Sequence, residues 1–500
     1  MKVLYLAAEQ TPYATAGGLG RVAYYLPKEL RKVGVDVRVF IPKYGKIDES
    51  KWPMKEVVKG LRVSTQEGFA DLICNVKMHD SGEVMTYFLE NREYYELRAN
   101  EYGYIDDAQR FLLLAKGALE FLKSYKDTWM PDVIHVNDWH TALVPQLLKT
   151  TYANDPVLNK LSTVLSIHNI RYQGTFDYRF ASELDFDDGK SMIPGFYSDR
   201  LFKINPLKRG IIYADVINTV SPTHAVEILT EEHGEGLHKL LQEVRTKVFG
   251  ILNGIDYDDF DPAKDPLVLE NYTVDSLNNR TKNKVALQKE FLLYEDEEVP
   301  IFAFSNRFAA QKGLDLMTQI LRPFLEEHEV QFVVNGGGDS RFVEFFLELH
   351  ADYPERIGVN LQPNFTLPRH IFSGSDVILL PSKYEPCGMV QMEAMRYGCI
   401  PVVRNTGGLA DTVADYIPSE DAGTGFVFQT YDAYALYSAM VRVIESYKYK
   451  EQWRKLQVRA MSQNFSWKSS AQDYEKLYKR GLGIKVQKES SKSIAGLTAL

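Results

Sequence analysis

Short apolar runs rich in β-branched residues recur along this chain between longer helical patterns, and that alternation limits the possible folds more than any other feature of the sequence. The first set is VLYLAA at 3 to 8, DVRVFIP at 36 to 42, DVIHVND at 132 to 138, STVLSIHN at 162 to 169 and DVINTVS at 215 to 221. The runs are apolar almost throughout rather than alternating, which predicts parallel strands covered by helices on both faces. From residue 247 the same grammar starts again with KVFGILNGID, a helix-rich stretch to Glu298, then PIFAFSNR, VQFVVNGGG, RIGVNL, DVILLPS, IPVVRN and GFVF. The expected fold is therefore α/β, with two doubly wound Rossmann-like domains over 1–246 and 247–464 and a hinge near Lys247 to Asp256, where Gly250 and Gly254 bracket a short strand. A C-terminal helix over 465–483 is expected to return to the N-terminal domain. Residues 484–500, rich in Ser, Lys and Gly without a helical stripe, read as a disordered tail. Ligands of doubly wound sheets bind beyond the carboxyl ends of the strands, so the site is expected in a cleft where the two domains face each other.

Composition narrows the partners. A chain of 500 residues that is 45% hydrophobic and 25% charged is globular rather than disordered. Lys and Arg number 58 against 67 Asp and Glu, a net charge of -9 that disfavours nucleic acid. Three cysteines, Cys74, Cys387 and Cys399, make neither a disulfide framework nor a zinc site, and point to a reducing cytoplasm. No apolar stretch approaches the roughly 20 residues that cross a bilayer. The opening MKVLYLAAEQ has too short an apolar run for a secretory signal and reads as a first buried strand.

Four groups of residues carry the chemistry. Thr15-Ala16-Gly17-Gly18-Leu19-Gly20 lies between a strand and a helical pattern, where glycines are either a plain turn or let backbone amides approach a diphosphate at a helix N-terminus. Arg307 and Lys312 follow the strand PIFAFS as a pair of cations. Glu393 stands eight residues after Glu385 on a helix expected to open near Cys387 or Gly388, a spacing read as putting both carboxylates roughly on one face. Asp138 and His168 end strands, where open α/β sheets place their chemistry, and Asp138 reads equally as the N-cap of the helix that follows. Asp185-Phe186-Asp187 has the spacing of a metal-holding triplet but sits in an acidic loop and reads as solvated surface, so no metal is expected.

The blocks EQTPYATAGGLGRVAYYLPKELRKVGVDVRVFIPKYG, HVNDWHTALVP, SIHNIRYQG, INPLKRGIIYADVINTVSP, ILNGID, QKGLDL, PSKYEPCGMVQMEAMRYG and NTGGLADTV stand in order from Met1 to about Leu482, and in them the chain resembles bacterial glycogen synthases and plant starch synthases, glycosyltransferase family 5. The resemblance implies a GT-B fold and retaining transfer of glucose from a nucleotide diphosphate glucose, ADP-glucose before UDP-glucose, to the non-reducing end of an α-1,4-glucan. It needs no cofactor. By the same resemblance Arg307 and Lys312 clamp the pyrophosphate, Glu385 lies by the donor glucose and Glu393 accepts bonds from the ribose. Gly17 and Gly18, Cys387 with the amides of Gly388 and Met389, and the loop Thr406, Gly407, Gly408 hold the donor, Gly337 shapes the nucleotide pocket, and Asp138 and His168 line the acceptor and glucose side. Retaining GT-B enzymes are thought to react on one face, the departing phosphate taking the proton of the incoming hydroxyl, so no dedicated base is named. Three positions depart from the family pattern: Thr15 replaces a lysine that approaches the donor phosphate, Arg21 replaces an aspartate, and Pro363 stands where a tyrosine stacks on adenine. They leave open another donor or acceptor, or a catalytically impaired glucan-binding scaffold. Oligomeric state is not legible in the sequence.

Overall fold

The computed structural model describes residues 1–174, 187–362, 364 and 366–497. It divides into two compact units, one of Met1–Val220, Ala225–Leu252 and the C-terminal segment from Trp467, the other of Ser221–His224 and Asn253–Ser466.

The first unit is built on a nine-stranded sheet of β1 (Lys2–Leu6), β2 (Asp36–Pro42), β3 (Lys55–Val63), β4 (Leu72–Asp80), β5 (Met85–Glu90), β6 (Val133–Asn137), β7 (Ser162–Ile167), β8 (Val216–Thr219) and β9 (Val248–Gly250), in the order β3-β4-β5-β2-β1-β6-β7-β8-β9. From β5 through β9 every pairing is parallel. β6 is buried at each of its residues, as a central parallel strand requires. Its one titratable side chain, His135, is satisfied inside the core by the Tyr478 hydroxyl at 2.8 Å and Ser166 Oγ at 2.7 Å. Burial holds that imidazole neutral, far below its ordinary pKa.

Three features differ from the sequence reading. β3 and β4 extend the sheet as an antiparallel pair with β5, an addition that the search for continuous apolar runs passes over because β3 is half exposed. β9 pairs with β8 in the first sheet, so the division between the units falls at Leu252 and Asn253, within the stretch Lys247 to Asp256 read as the hinge but past the 246/247 boundary given for the domains. The C-terminal helix runs Trp467–Leu497 without a break where an irregular tail was expected from 484. Its Tyr474 and Tyr478 are fully buried in the first unit's core, and beyond them the chain contains no proline and many residues that tolerate a helix.

The second unit holds a parallel six-stranded sheet of β10 (Ile301–Ser305), β11 (Gln331–Asn335), β12 (Ile357–Asn360), β13 (Val377–Leu380), β14 (Ile400–Arg404) and β15 (Phe426–Phe428), ordered β12-β11-β10-β13-β14-β15. Both sheets reverse their winding at one place, between β1 and β6 in the first and between β10 and β13 in the second. Loops leaving adjacent strands part there and open a crevice. Among the described residues no helix is long and apolar enough to cross a membrane.

Candidate functional site

In the second unit the loop after β10 carries Arg307 and Lys312, and the loop after β13 carries Glu385, so Lys312 and Glu385 meet at the reversal point. Lys312 Nζ lies 2.6 Å from Glu385 Oε2, and each residue is only 8% exposed. Ser382 Oγ donates to the same carboxylate oxygen at 3.1 Å. The guanidinium of Arg404 fixes the loop from below by donating to the Ser382 and Lys383 carbonyls at 3.1 and 2.7 Å. Lys312 is thus a buried ion-pair partner, not a solvated surface cation. Arg307, by contrast, is exposed and makes no ion pair with a described residue.

Arg307 lines a cavity of about 530 Å³, the size of a nucleotide site, with Ser305, Gly336, Gly337, Gly338, Gln362 and Asn364. Its floor is a polar chain at the carboxyl ends of three strands. Asn335 donates to Ser305 Oγ at 3.0 Å, and Asn360 donates to Asn335 Oδ1 and to the Gln362 carbonyl, both at 2.8 Å. Pro363 lies outside the described residues.

The helical reading of the Glu385 and Glu393 spacing needs correction. The helix spans Val390–Arg396 with Met389 as its cap, and Glu385 lies in the loop before it. Pro386 disfavours helical backbone at Glu385, and Gly388 adopts φ +68, a left-handed conformation that stops any earlier start. Glu393 is buried on that helix and its amide donates to the Met389 carbonyl at 2.9 Å. Burial pushes the Cys387 thiol up to about 12, so it stays neutral.

The loop of Thr406, Gly407 and Gly408 is tied to the loop that carries Glu385. The Gly408 amide donates to the Glu385 and Pro386 carbonyls, both at 3.1 Å, and the Thr406 amide to Arg404. A Cβ on Gly407, whose φ is +44, would stand 2.0 Å from the Glu385 carbonyl oxygen, and one on Gly408 would stand 2.1 Å from that of Cys387. The glycines let this loop press on the backbone that carries Glu385. Ser221 Oγ adds a bond to the Pro386 carbonyl at 2.8 Å.

In the first unit the reversal point gathers the loop after β1 with Asp138 after β6 and His168 after β7. Here too the glycine loop makes internal bonds. Glu9, 2% exposed, accepts from the Ala16 amide and from the Gly17 amide at 3.1 Å, with Gly20 adding a further amide. Those donors face an internal carboxylate, which the sequence reading missed although it stands at the end of the first strand. Burial outweighs the three amides and raises the Glu9 pKa. Gly17, Gly18 and Thr15 are exposed, and the Thr15 hydroxyl lies 2.9 Å from that of Thr11.

Asp138 is buried with φ +51, a strained backbone for a residue with a side chain. Its carboxylate does not cap its own helix. It accepts from the His168 amide at 2.7 Å and from the Asn169 amide, while burial, aided by Glu9, lifts its pKa to about 7. His168 Nε2 donates to Asn137 Oδ1 at 2.9 Å, an oxygen that also accepts from the Tyr5 hydroxyl, and burial drops the imidazole to about 4. A neutral imidazole on the loop after β7 and a carboxyl with its pKa near 7 are thus tied together through the His168 backbone amide. Of the metal-like triplet, Asp185 and Phe186 lie outside the described residues. Asp187 is not solvated surface, because the buried Arg209 guanidinium grips it from Nε at 3.0 Å and Nη2 at 2.6 Å. Among the described residues no group of three or more His, Cys, Asp or Glu is placed to hold a metal ion.

Comparison with known proteins agrees with this architecture. Residues 2–243 match the model of the starch synthase catalytic domain, and residues 288–457 that of glycosyl transferases group 1. The glycogen synthase of Thermotoga petrophila is 40% identical over 487 residues, covering 96% of this chain and 99% of that protein. That of Clostridioides difficile is 40% identical over 489 residues, covering 96% and 99%. Among solved structures, the catalytic domain of starch synthase IV from Arabidopsis thaliana, bound to ADP and acarbose, superposes with a TM-score of 0.83 at 31% identity over 96% of this chain and 99% of that one. A sucrose-phosphate synthase from Thermosynechococcus elongatus, at TM-score 0.58 and 18% identity over 96% and 98%, shares the fold.

Proposed function

Because this chain belongs to the glycogen synthase and starch synthase family, GT-B glycosyltransferases that pass glucose from a nucleotide sugar to a glucan, we propose that its donor is ADP-glucose and that transfer retains the anomeric configuration. The observation that carries the reading is the buried Lys312–Glu385 pair at the reversal point of the second sheet, on the same loop as Arg307 and the 530 Å³ cavity. We assign the cavity, with Gly337 at its wall, to the nucleoside, and Arg307 and Lys312 to the diphosphate. Arg307 binds it bidentately, while Lys312 contributes a compact charge shared with Glu385. Glu385 and the Cys387–Met389 loop face the donor glucose, and Glu393 the ribose. Gly407 and Gly408 hold that loop in place, so their part in donor binding is indirect.

As the glycosidic bond breaks, negative charge grows on the departing diphosphate and positive charge on the sugar carbon. Preorganised cations meet the first. Asp138, ionised above about pH 7, and the neutral His168 serve the acceptor and sugar side, where a carboxylate stabilises the developing cation. The acceptor hydroxyl attacks the carbon that the diphosphate leaves, and its proton passes to a diphosphate oxygen. The acceptor is the non-reducing end of an α-1,4-glucan, and three buried, unpaired thiols suit a reducing cytoplasm.

A second donor, UDP-glucose, is favoured by Thr15 and Arg21, which alter the charge beside the glycine loop. A donor screen decides between them: labelled glucose from ADP-glucose should enter maltooligosaccharide faster than from UDP-glucose. The reverse order would move the assignment to UDP-glucose, and no incorporation from any nucleotide glucose would overturn the transferase reading of this chain.

A further inference from the structure

The first unit carries two large aromatic rings on its surface in fixed orientation. Phe69, in the loop from β3 to β4, is 55% exposed, and Tyr197 is 46% exposed. Their ring centres are 5.3 Å apart and the planes are tilted by 36°. Tyr197 is braced from below. Phe196, 1% exposed, stands edge-on beneath Tyr197 at 5.2 Å and against Tyr94 at 5.4 Å. Gln66 joins the two loops, its carbonyl accepting from the Phe69 amide and its Oε1 from the Tyr197 amide, both at 3.2 Å. Gly195 is pressed so close that a Cβ there would stand 2.2 Å from Gln66 Oε1. Isolated exposed aromatics are ordinary, but a braced and tilted pair is a preorganised surface.

Its place in the sheet gives it a purpose. β3 is antiparallel to β4 and β4 to β5, which runs parallel to β2, β1 and β6. The carboxyl end of β3 therefore lies on the same edge as that of β6, where Asp138 stands. The two strands are five places apart, about 24 Å at the usual strand spacing. Between them the loops after β5 contribute Tyr94 and Tyr102, and the Tyr102 ring packs at 4.9 Å on His140, two residues beyond Asp138. Tyr94, 7% exposed, and the half-buried Tyr102 pack into the unit beneath this edge, which the exposed pair and Asp138 share.

We propose that Phe69 and Tyr197 form a remote subsite for the glucan acceptor, holding glucosyl units several residues from the end that receives glucose. The inference rests on the acceptor assignment of Asp138 made above. Sugar rings of an α-linked glucan offer apolar faces on a curved chain, and two rings tilted toward one another match that curvature better than they match a flat partner. The distance makes the site selective for length. Maltotriose is too short to reach from Asp138 to the pair, and maltoheptaose is not.

The test compares the two acceptors at saturating donor. In Phe69→Ala the ratio of KM for maltoheptaose to KM for maltotriose should rise roughly fivefold, as expected for one lost ring contact, with kcat for each acceptor kept. Tyr197→Phe should leave the ratio near wild type because the ring remains, and melting temperature shows that each variant is folded. A ratio that does not move in Phe69→Ala, or a KM that rises equally for both acceptors, would overturn the subsite. Loss of a concentration-dependent dimer in Phe69→Ala with unchanged kinetics would reassign the patch to self-association. Direct titration with maltoheptaose in the absence of donor separates the two readings. If wild type transfers no glucose yet binds maltoheptaose several-fold more tightly than Phe69→Ala, the subsite stands and the transferase reading fails. Equal binding removes the subsite.

Discussion

Replacing Lys312 by Met tests stability and chemistry at once, because the ammonium is held 2.6 Å from Glu385 in a place that is 8% exposed for both residues. At an effective dielectric constant of about 20 the gross attraction at that distance is about 6 kcal/mol, most of it offset by desolvating the two charges. Removing one partner leaves the other buried and uncompensated, so Lys312→Met should lower unfolding free energy by about 3 to 5 kcal/mol. Glu385→Gln should cost less, since Ser382 and Lys312 can still bond the amide oxygen. The double variant Lys312→Met/Glu385→Gln buries no net charge and should regain most of the stability lost in Lys312→Met. Activity should not follow. Losing one preorganised donor to the departing diphosphate costs about 2.7 to 4 kcal/mol, a fall of roughly 10² to 10³ in kcat, and the double variant should remain at least as impaired. Urea midpoints and initial rates of glucosyl transfer, measured on all four proteins, give both cycles. Wild-type rates in Lys312→Met, or rates restored in the double variant, would refute the assignment of both groups to transfer.

Other expectations follow from the same geometry. Asp138 is more readily protonated folded than unfolded, so between about pH 4 and pH 7 the native state binds the extra proton and stability falls as pH rises; Asp138→Asn should remove that slope from a series of melting temperatures, and should abolish the rise in kcat through pH 7 if the ionised form acts. Arg307→Ala should change stability by no more than about 0.5 kcal/mol, as an exposed side chain, while weakening nucleoside diphosphate affinity by roughly 1.5 to 3 kcal/mol in a calorimetric titration. Gly408→Ala places a methyl 2.1 Å from the Cys387 carbonyl oxygen and should displace the Glu385 loop, seen as lost activity together with a lower melting temperature. Glu9→Ala removes the acceptor of the Ala16 and Gly17 amides and should cost about 1 to 3 kcal/mol in urea unfolding.

The alternation of apolar runs with helical patterns was enough to imply two doubly wound parallel sheets, because burial on both faces makes a strand mostly apolar, and a run such as VIHVN, with only His135 and Asn137 polar, can be read without knowing its neighbours. Asp138 and His168 were legible as strand ends in one dimension, whereas Arg307, Lys312 and Glu385 were singled out by the resemblance of their blocks to the family. Pairings were not legible. β3 alternates between solvent and core, so only its hydrogen-bonded partner β4 makes it part of the sheet, and β9 belongs to the first unit solely because it lies beside β8. The same holds for charge and amides. Nothing local says that Glu9 fills the amides of its own glycine loop or that the Gly408 amide goes to Glu385. Nor does it say that Lys312 is buried against a carboxylate 73 residues away. A hydrogen bond needs its donor and acceptor within about 3 Å, and which distant groups come that close is decided by the order of strands in the folded sheet and not by their order in the chain.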